Sequence, residues 1–455
     1  MGLPLTLGYE PGRIRGIVNV DLTPESMAQL GAVLGTMLGE GTLVVTARDF
    51  YPPSRMLKRA FSAGLMSTGV TIMDFHGATL PELAFAIRRF GAKAGIHFTV
   101  SVAKEDSVIV KFLDAQSSEI TIERTKELVR LYESKHVVRT IPRRIGWVSY
   151  AEYIHDIYVA AVISILDIDP IISFEPKIVI DLNFGPASEV VPDLLSEIGA
   201  DSITLNSHKP PLRRGVRHLP SPEALNNLSS IVRTAEAHLG VALCADASRI
   251  VLIDDKGVPL NPDETISLML SFLPEGSKVV ISSTTSMAVN KVAESKKIKI
   301  IRVKGSTGDV ARYARRVKAT LAATDKGEFI FPSFSLSPDG VLSLARIIEQ
   351  LSLRERALSE IRKNIPKLEE YEVKVSVGDN SFVNILDMLS SVFDQTLVSV
   401  IGIKVIEGPN WAYIRPDFRE RVLRISVENP NKERLDLVKR IAEKTESLVN
   451  EISKK

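Results

Sequence analysis

Residues 42–101 open with Thr42-Leu43-Val44-Val45-Thr46 and close with Ala94-Gly95-Ile96-His97-Phe98-Thr99-Val100-Ser101, and the text between them decides the fold. Short apolar runs, Thr42 to Thr46, Thr71 to Phe75 and Ala94 to Thr99, alternate with amphipathic stretches near Ser54 to Ser67 and Leu80 to Phe90. The short runs predict strands and the longer stretches predict helices, so the segment reads β-α-β-α-β. The rhythm returns at Lys177 to Asp181, a helix near Ala187 to Ile198, and Ser202 to Leu205. It returns again at Lys278 to Ser282, a helix near Met287 to Ser295, Lys297 to Val303, and a helix near Val310 to Ala319. Three α/β units in series are the simplest account.

The last stretch differs. Tyr371 to Val377, Thr396 to Val405 and Val422 to Val427 read as strands, with helices near Phe382 to Phe393 and Lys432 to Ser453. Strands outnumber helices there, which predicts an α+β domain. The expected domains are residues 1–146, 147–256, 257–365 and 366–455, three α/β and one α+β.

A chain of 455 residues exceeds what one hydrophobic core supports, in keeping with several domains. With 45% hydrophobic and 25% charged residues, the composition is that of a soluble globular protein. A net charge of +2 supplies no general attraction to nucleic acid or an anionic membrane, so any anion is expected to be bound locally. The most apolar run, Ile157 to Leu166, is too short to span a bilayer, and Met1 to Val18 shows no basic segment leading into an apolar one. The expectation is a cytoplasmic protein. A single cysteine, Cys244, excludes an internal disulfide and leaves no pair of thiolates for a structural zinc site.

Matching text runs from Arg13-Ile14-Arg15-Gly16-Ile17-Val18-Asn19 through Arg48-Asp49, Ser67-Thr68-Gly69-Val70, Pro220-Ser221-Pro222-Glu223, Gly308-Asp309-Val310, Ile330-Phe331-Pro332 and Asp339-Gly340. On these residues nearly the whole chain resembles the α-D-phosphohexomutases, the phosphoglucomutase/phosphomannomutase superfamily, isomerases that interconvert hexose 1-phosphates and 6-phosphates. The resemblance implies three similar α/β domains and a fourth α+β domain around a central cleft, and a hexose phosphate as ligand. It implies a phosphoserine as carrier and Mg²⁺ as cofactor, and leaves a homo-oligomer open.

Four motifs carry that implication, and each departs from the family pattern. The phosphoserine loop Thr-Ala-Ser-His-Asn-Pro stands here as Thr99-Val100-Ser101-Val102-Ala103-Lys104. Ser101 keeps the nucleophile's place, and the resemblance gives Lys104 and Arg15 the role of stabilising the moving phosphoryl group, since a serine hydroxyl needs charge beside it. The metal loop Asp-Gly-Asp-Ala-Asp-Arg stands as Cys244-Ala245-Asp246-Ala247-Ser248-Arg249. Asp246, with a phosphorylated Ser101, would be the remaining ligand; Mg²⁺ prefers hard oxygens, so weak or absent binding is expected. For the sugar loop, the nearby polar residues are Asp325, Lys326 and Glu328. The phosphate loop Arg-Pro-Ser-Gly-Thr-Glu-Pro stands as Arg415-Pro416-Asp417-Phe418-Arg419-Glu420-Arg421, followed by Arg424. Its small residues are gone, but Arg415, Arg419, Arg421 and Arg424 supply guanidiniums suited to phosphate. Two readings stand at this point: a mutase working through Ser101, and a degenerate relative that binds a phosphosugar or a partner without turnover.

Overall fold

The computed structural model describes residues 8–101, 106–209, 218–365, 370–377, 382–399, 402–408, 410–417 and 421–453. The first sheet contains β1 (Gly8–Glu10), β2 (Arg13–Ile17), β3 (Leu43–Arg48), β4 (Thr71–Gly77), β5 (Ala94–Val100), β6 (Ser107–Asp114) and β7 (Val148–Tyr150) in the order β1-β2-β6-β5-β3-β4-β7. Every residue of β5 is buried, as expected of a strand covered by helices on both faces. Polar His97 and Thr99 interrupt that run, and both are used at the site described below. Strand β7 pairs in parallel with β4, so the first sheet continues beyond residue 146, where the sequence suggested a boundary.

The second sheet holds β8 (Lys177–Asp181), β9 (Asp201–Leu205), β10 (Leu239–Leu243) and β11 (Ile250–Ile253), ordered β11-β10-β8-β9. The third holds β12 (Lys278–Ser282), β13 (Lys299–Val303), β14 (Leu321–Thr324) and β15 (Glu328–Ile330), ordered β13-β12-β14-β15. Written from the antiparallel strand inward, both sheets run fourth, third, first, second, and so do β6-β5-β3-β4 of the first sheet. The repeated unit inferred from the alternation is thus one topology used three times.

Local sequence explains where the helices begin. Thr79 accepts from the Glu82 amide while the Glu82 carboxylate accepts from the Thr79 amide, a reciprocal cap that starts the helix Leu80–Phe90. Asn261 with Glu264 and Ser306 with Asp309 start Pro262–Phe272 and Thr307–Arg316 in the same way. The second and third units share a core on one face of their sheets and keep separate ones on the other, built on Val179, Val232 and Val251 in the second and on Val280, Val310 and Ala322 in the third. A single cluster runs from Tyr158 to Leu358, joined by the helix Gly340–Ser352, which buries Val341, Leu344, Ile347, Ile348 and Leu351.

The C-terminal sheet is antiparallel throughout: β16 (Glu370–Ser376), β17 (Thr396–Ser399), β18 (Gly402–Glu407), β19 (Asn410–Asp417) and β20 (Val422–Glu428), in the order β16-β20-β19-β18-β17. Its core is its own, lined by the helices Phe382–Val392 and Lys432–Ser453. The sequence reads Thr396 to Val405 as one strand; the structure folds it into the hairpin β17-β18, with Ser399 opposite Gly402. The sequence from 397 to 406 is mostly apolar, so periodicity does not mark the reversal. Among the described residues, no helix is long and apolar enough to cross a membrane.

Candidate functional site

In parallel α/β sheets the carboxyl ends of the strands open onto the connecting loops, where ligands bind. Here the three α/β sheets bring three such ends into contact with one another.

At the first, β3 leads into Arg48 and Asp49, and β5 leads into Ser101. The Asp49 carboxylate accepts from the amides of Tyr51 (3.0 Å) and Val100 (2.6 Å) and from the Thr99 hydroxyl (3.1 Å), tying the β3 loop to the end of β5. Burial pushes its pKa up to about 6, against these hydrogen bonds. Ser101 is buried, its amide donating to the Ser107 carbonyl at 2.8 Å. Lys104 lies outside the described residues. Arg15, on β2, is about half exposed (48%) and paired with Glu10 at 3.3 Å.

The second end is the turn 244–249, and Asp246 at its centre is fully buried. One carboxylate oxygen, Oδ2, accepts from the Lys111 ammonium at 2.5 Å. The other, Oδ1, accepts from the Ser248 hydroxyl (2.6 Å), the Ser248 amide (3.1 Å) and the Cys244 thiol (3.1 Å). His218 Nε2 lies 3.7 Å from Oδ1, and its Nδ1 lies 3.4 Å from the Thr99 hydroxyl. A polar chain therefore runs Asp49–Thr99–His218–Asp246–Lys111, linking the strand that ends at Ser101 to the Asp246 turn. Burial raises the Asp246 pKa, but the Lys111 ammonium and its hydrogen bond, together with the His218 and His97 rings, outweigh it and hold the carboxyl well below the usual range. Burial lowers His218 to about 3 and His97 to about 4, leaving both rings neutral, and pushes the Cys244 thiol up to about 12.

These residues do not fit Mg²⁺. An octahedral magnesium site needs several oxygens, and this turn offers one carboxylate whose oxygens already face donors. Cys244 and His218, the other potential ligands within reach, suit softer ions.

The third end holds Asp325, Lys326 and Glu328. Glu328 is buried and accepts from the hydroxyls of Thr307 (2.7 Å) and Thr324 (2.8 Å), with Arg249 Nε at 3.5 Å and Arg13 Nη2 at 3.9 Å. Burial raises its pKa, but Lys326, Arg249 and Arg13 together hold it far below the usual range. Arg13 also binds Glu119 at 2.8 Å. Asp325 accepts from the Ser282 hydroxyl at 3.2 Å and faces Lys404 Nζ at 3.4 Å. Lys404 is buried under the Trp411 ring (3.8 Å) and reaches from β18 into the third domain. Both carboxylates read from the sequence as sugar ligands thus hold the domains together, while Lys326 is half-buried beside them.

Of the C-terminal arginines, Arg424 is closed between Asp417 (2.8 Å) and Glu372 (2.6 Å) within its own sheet. Arg415, directly across from it, donates to Ser426 at 3.2 Å. Arg421 is exposed at the turn before β20, and Arg419 lies outside the described residues. The structure joins Ser101's strand to Asp246, and Asp325 and Glu328 to Arg13, Arg249 and Lys404; Arg15 and Arg424 have their own acidic partners elsewhere.

Sequence reasoning missed Lys111, Lys404, Arg13 and His218. A signal was present for two of them: Ser107-Val108-Ile109-Val110-Lys111-Phe112-Leu113 and Gly402-Ile403-Lys404-Val405-Ile406 each place one lysine inside an apolar strand. A lysine in that setting is buried only if paired.

Comparison with known proteins agrees with this fold. Residues 12–138, 156–257 and 261–368 match the α/β/α domains I, II and III of phosphoglucomutase/phosphomannomutase. The chain is 29% identical over 451 residues to a probable phosphoglucosamine mutase of Pyrococcus furiosus, covering 97% of each. A putative phosphomannomutase from Thermus thermophilus superposes with a TM-score of 0.75 at 19% identity, over 99% of this chain and 100% of that one. An N-acetylphosphoglucosamine mutase of Aspergillus fumigatus, solved with GlcNAc-6P and magnesium, superposes with a TM-score of 0.52 at 13% identity, over 96% and 94%. Three successive domain matches in family order, on a shared backbone topology, show that this chain belongs to the phosphoglucomutase/phosphomannomutase family of α-D-phosphohexomutases.

Proposed function

We propose that this protein is a phosphohexomutase-type phosphotransferase acting on a hexose 1-phosphate or 6-phosphate, with Ser101 as the phosphoryl carrier. In the reaction the bond from Ser101 Oγ to phosphorus breaks as a hexose hydroxyl oxygen bonds to that phosphorus, giving a hexose bisphosphate. The phosphoryl group at the other end then returns to Ser101. The observation that carries this reading is the position of Ser101 at the carboxyl end of β5, where Thr99 meets the His218 ring and the His218 carbonyl accepts from the Ala245 amide of the Asp246 turn at 2.8 Å. Two neighbouring domains hold that strand end still, which positioning of a phosphoryl group requires. Because the Asp246 turn does not fit magnesium, no step runs through it. Arg48, half-buried beside Asp49 and opposite Phe98 on β5, would meet the phosphoryl oxygens. We place the protein in the cytoplasm.

A specific observation favours a second reading, binding of a phosphosugar without turnover. The guanidinium of Arg424 is already satisfied by Asp417 and Glu372, which reduces its capacity to grip a second phosphate.

A coupled assay with glucose 1-phosphate, mannose 1-phosphate and glucosamine 1-phosphate, primed with a hexose bisphosphate, separates the two. Turnover abolished by Ser101→Ala supports the mutase. Thermal stabilisation by a hexose phosphate with no turnover on any of the three supports the binder and overturns the mutase.

A further inference from the structure

Lys111 is the one charged residue in β6 before Asp114, and its side chain is 4% exposed against 0% for that of Asp246. The antiparallel register sets Arg13 on β2 and His97 on β5 directly beside it. A strand that is otherwise apolar thus delivers an ammonium into the turn where the family's motif would place its metal. Asp246 meets this ammonium on one oxygen and the Ser248 amide, Ser248 hydroxyl and Cys244 thiol on the other. Where the family's motif has two further carboxylates, the sequence has Cys244 and Ser248, so Asp246 is the one carboxylate left in the turn; Lys111 faces it, while Arg249 of the same turn faces Glu328.

We propose that the Lys111 ammonium is the resident cation of the Asp246 turn, a covalently tethered replacement for the divalent metal, and that this turn takes up no metal ion. The balance of charge comes first. A divalent ion would enter beside a buried ammonium with a single carboxylate for both, and neither cation could be shielded by water. Removing Lys111 to make room would leave Asp246 alone with the ion and without the oxygens it needs. The strongest competing occupant is a softer ion such as Co²⁺ or Zn²⁺, because ligand atoms of His218, Cys244 and Asp246 lie within 4.8 Å of one another. It meets the same ammonium at 2.5 Å from the same carboxylate.

The replacement also joins two domains. Lys111 belongs to the first sheet and Asp246 to the turn between β10 and β11 of the second, and the Leu80 amide at the start of a first-domain helix donates to the Asp246 carbonyl at 3.0 Å. The ion pair is therefore a clamp as well as a filled cation position. The inference concerns the occupant of the turn and stands whether or not Ser101 transfers phosphate.

The test uses the full chain, stripped with EDTA. Calorimetric titration with Mg²⁺ and with Zn²⁺, and absorption in the thiolate-to-cobalt region during Co²⁺ addition, are expected to show no stoichiometric uptake, and the thermal midpoint is expected to be unmoved by the ions. Lys111→Met and Asp246→Asn are each expected to lower the midpoint, and the double variant to recover most of that loss. Stoichiometric uptake of any of these ions by the unaltered protein, lost in Asp246→Asn, overturns the proposal; so does a double variant whose loss equals the sum of the two single losses. Should either single variant fail to fold, the titrations of the unaltered protein decide the question alone.

Discussion

Two imidazoles at the Asp246 turn set the residue-scale behaviour. His97 Nε2 donates to the Ala78 carbonyl at 2.9 Å, which requires a ring N–H there, and burial takes its pKa down to about 4; His218 falls to about 3 for the same reason. We expect both rings to remain neutral at pH 5 in a ¹⁵N-detected titration, where an unperturbed histidine is charged; protonation of either near pH 6.5 would contradict the burial found here. Between the folded values and 6.5 the unfolded chain binds more protons than the native one, so this pair contributes stability that is present at neutral pH and lost as pH falls through that window. Lys404 makes the second residue-scale case. It is buried among Asp325, Asp263 and the Thr284 carbonyl, so Lys404→Met leaves two acidic groups without their ammonium. Urea denaturation is expected to register a loss of about 3–5 kcal/mol, as for other buried pairs deprived of one partner; a change no larger than that of a surface lysine would remove Lys404 from the interdomain contact. Residues of this kind were half legible in the sequence. A lysine within an apolar strand announces a buried partner, but not which carboxylate, because Asp246 and Asp325 lie far along the chain from Lys111 and Lys404.

At the scale of elements, the alternation of apolar runs and amphipathic stretches disclosed seven of the fifteen strands described in the three α/β sheets, and the capping pairs at Thr79, Asn261 and Ser306, seen in the structure, set where three helices start. Strand order was not legible, since nothing local distinguishes β3 as the central strand from β4 beside it. Nor was the core that the second and third units share, which depends on a helix, Gly340–Ser352, that is buried nearly all round although it carries Ser343, Arg346, Glu349 and Gln350. One close contact between elements was also hidden. The helices Pro24–Leu38 and Pro52–Met66 cross where a Cβ on Gly64 would stand 1.9 Å from the Ala28 carbonyl oxygen, and one on Gly31 2.1 Å from that of Phe61. Both obstacles are backbone, so the helices would have to separate. Gly64→Ala is expected to lose about 1–3 kcal/mol by thermal or urea unfolding despite alanine's better helix propensity. A neutral or stabilised variant would show that the two helices do not approach this closely.

At the scale of the molecule, the domains are tied by buried charge: Lys111 to Asp246 between the first and second, Arg13 and Arg249 to Glu328 among the first three, and Lys404 to Asp325 between the third and fourth. Family membership was legible from end to end, because scaffold residues such as Gly308-Asp309-Val310 and Asp339-Gly340 persist. The chemistry was less so, because the Ser101 strand end, the Asp246 turn and the Asp325–Glu328 loop have partners from other domains, and the arginine stretch has acidic partners across its own sheet; a linear sequence shows neither. Whether a molecule so joined still moves a phosphoryl group rests on Ser101. The direct measurement is peptide mapping by mass spectrometry after incubation with a hexose 1,6-bisphosphate in EDTA. A single phosphoryl group on the peptide containing Ser101, absent from Ser101→Ala, is the predicted result; a chain that stays unphosphorylated at Ser101 with and without added Mg²⁺ would contradict the account.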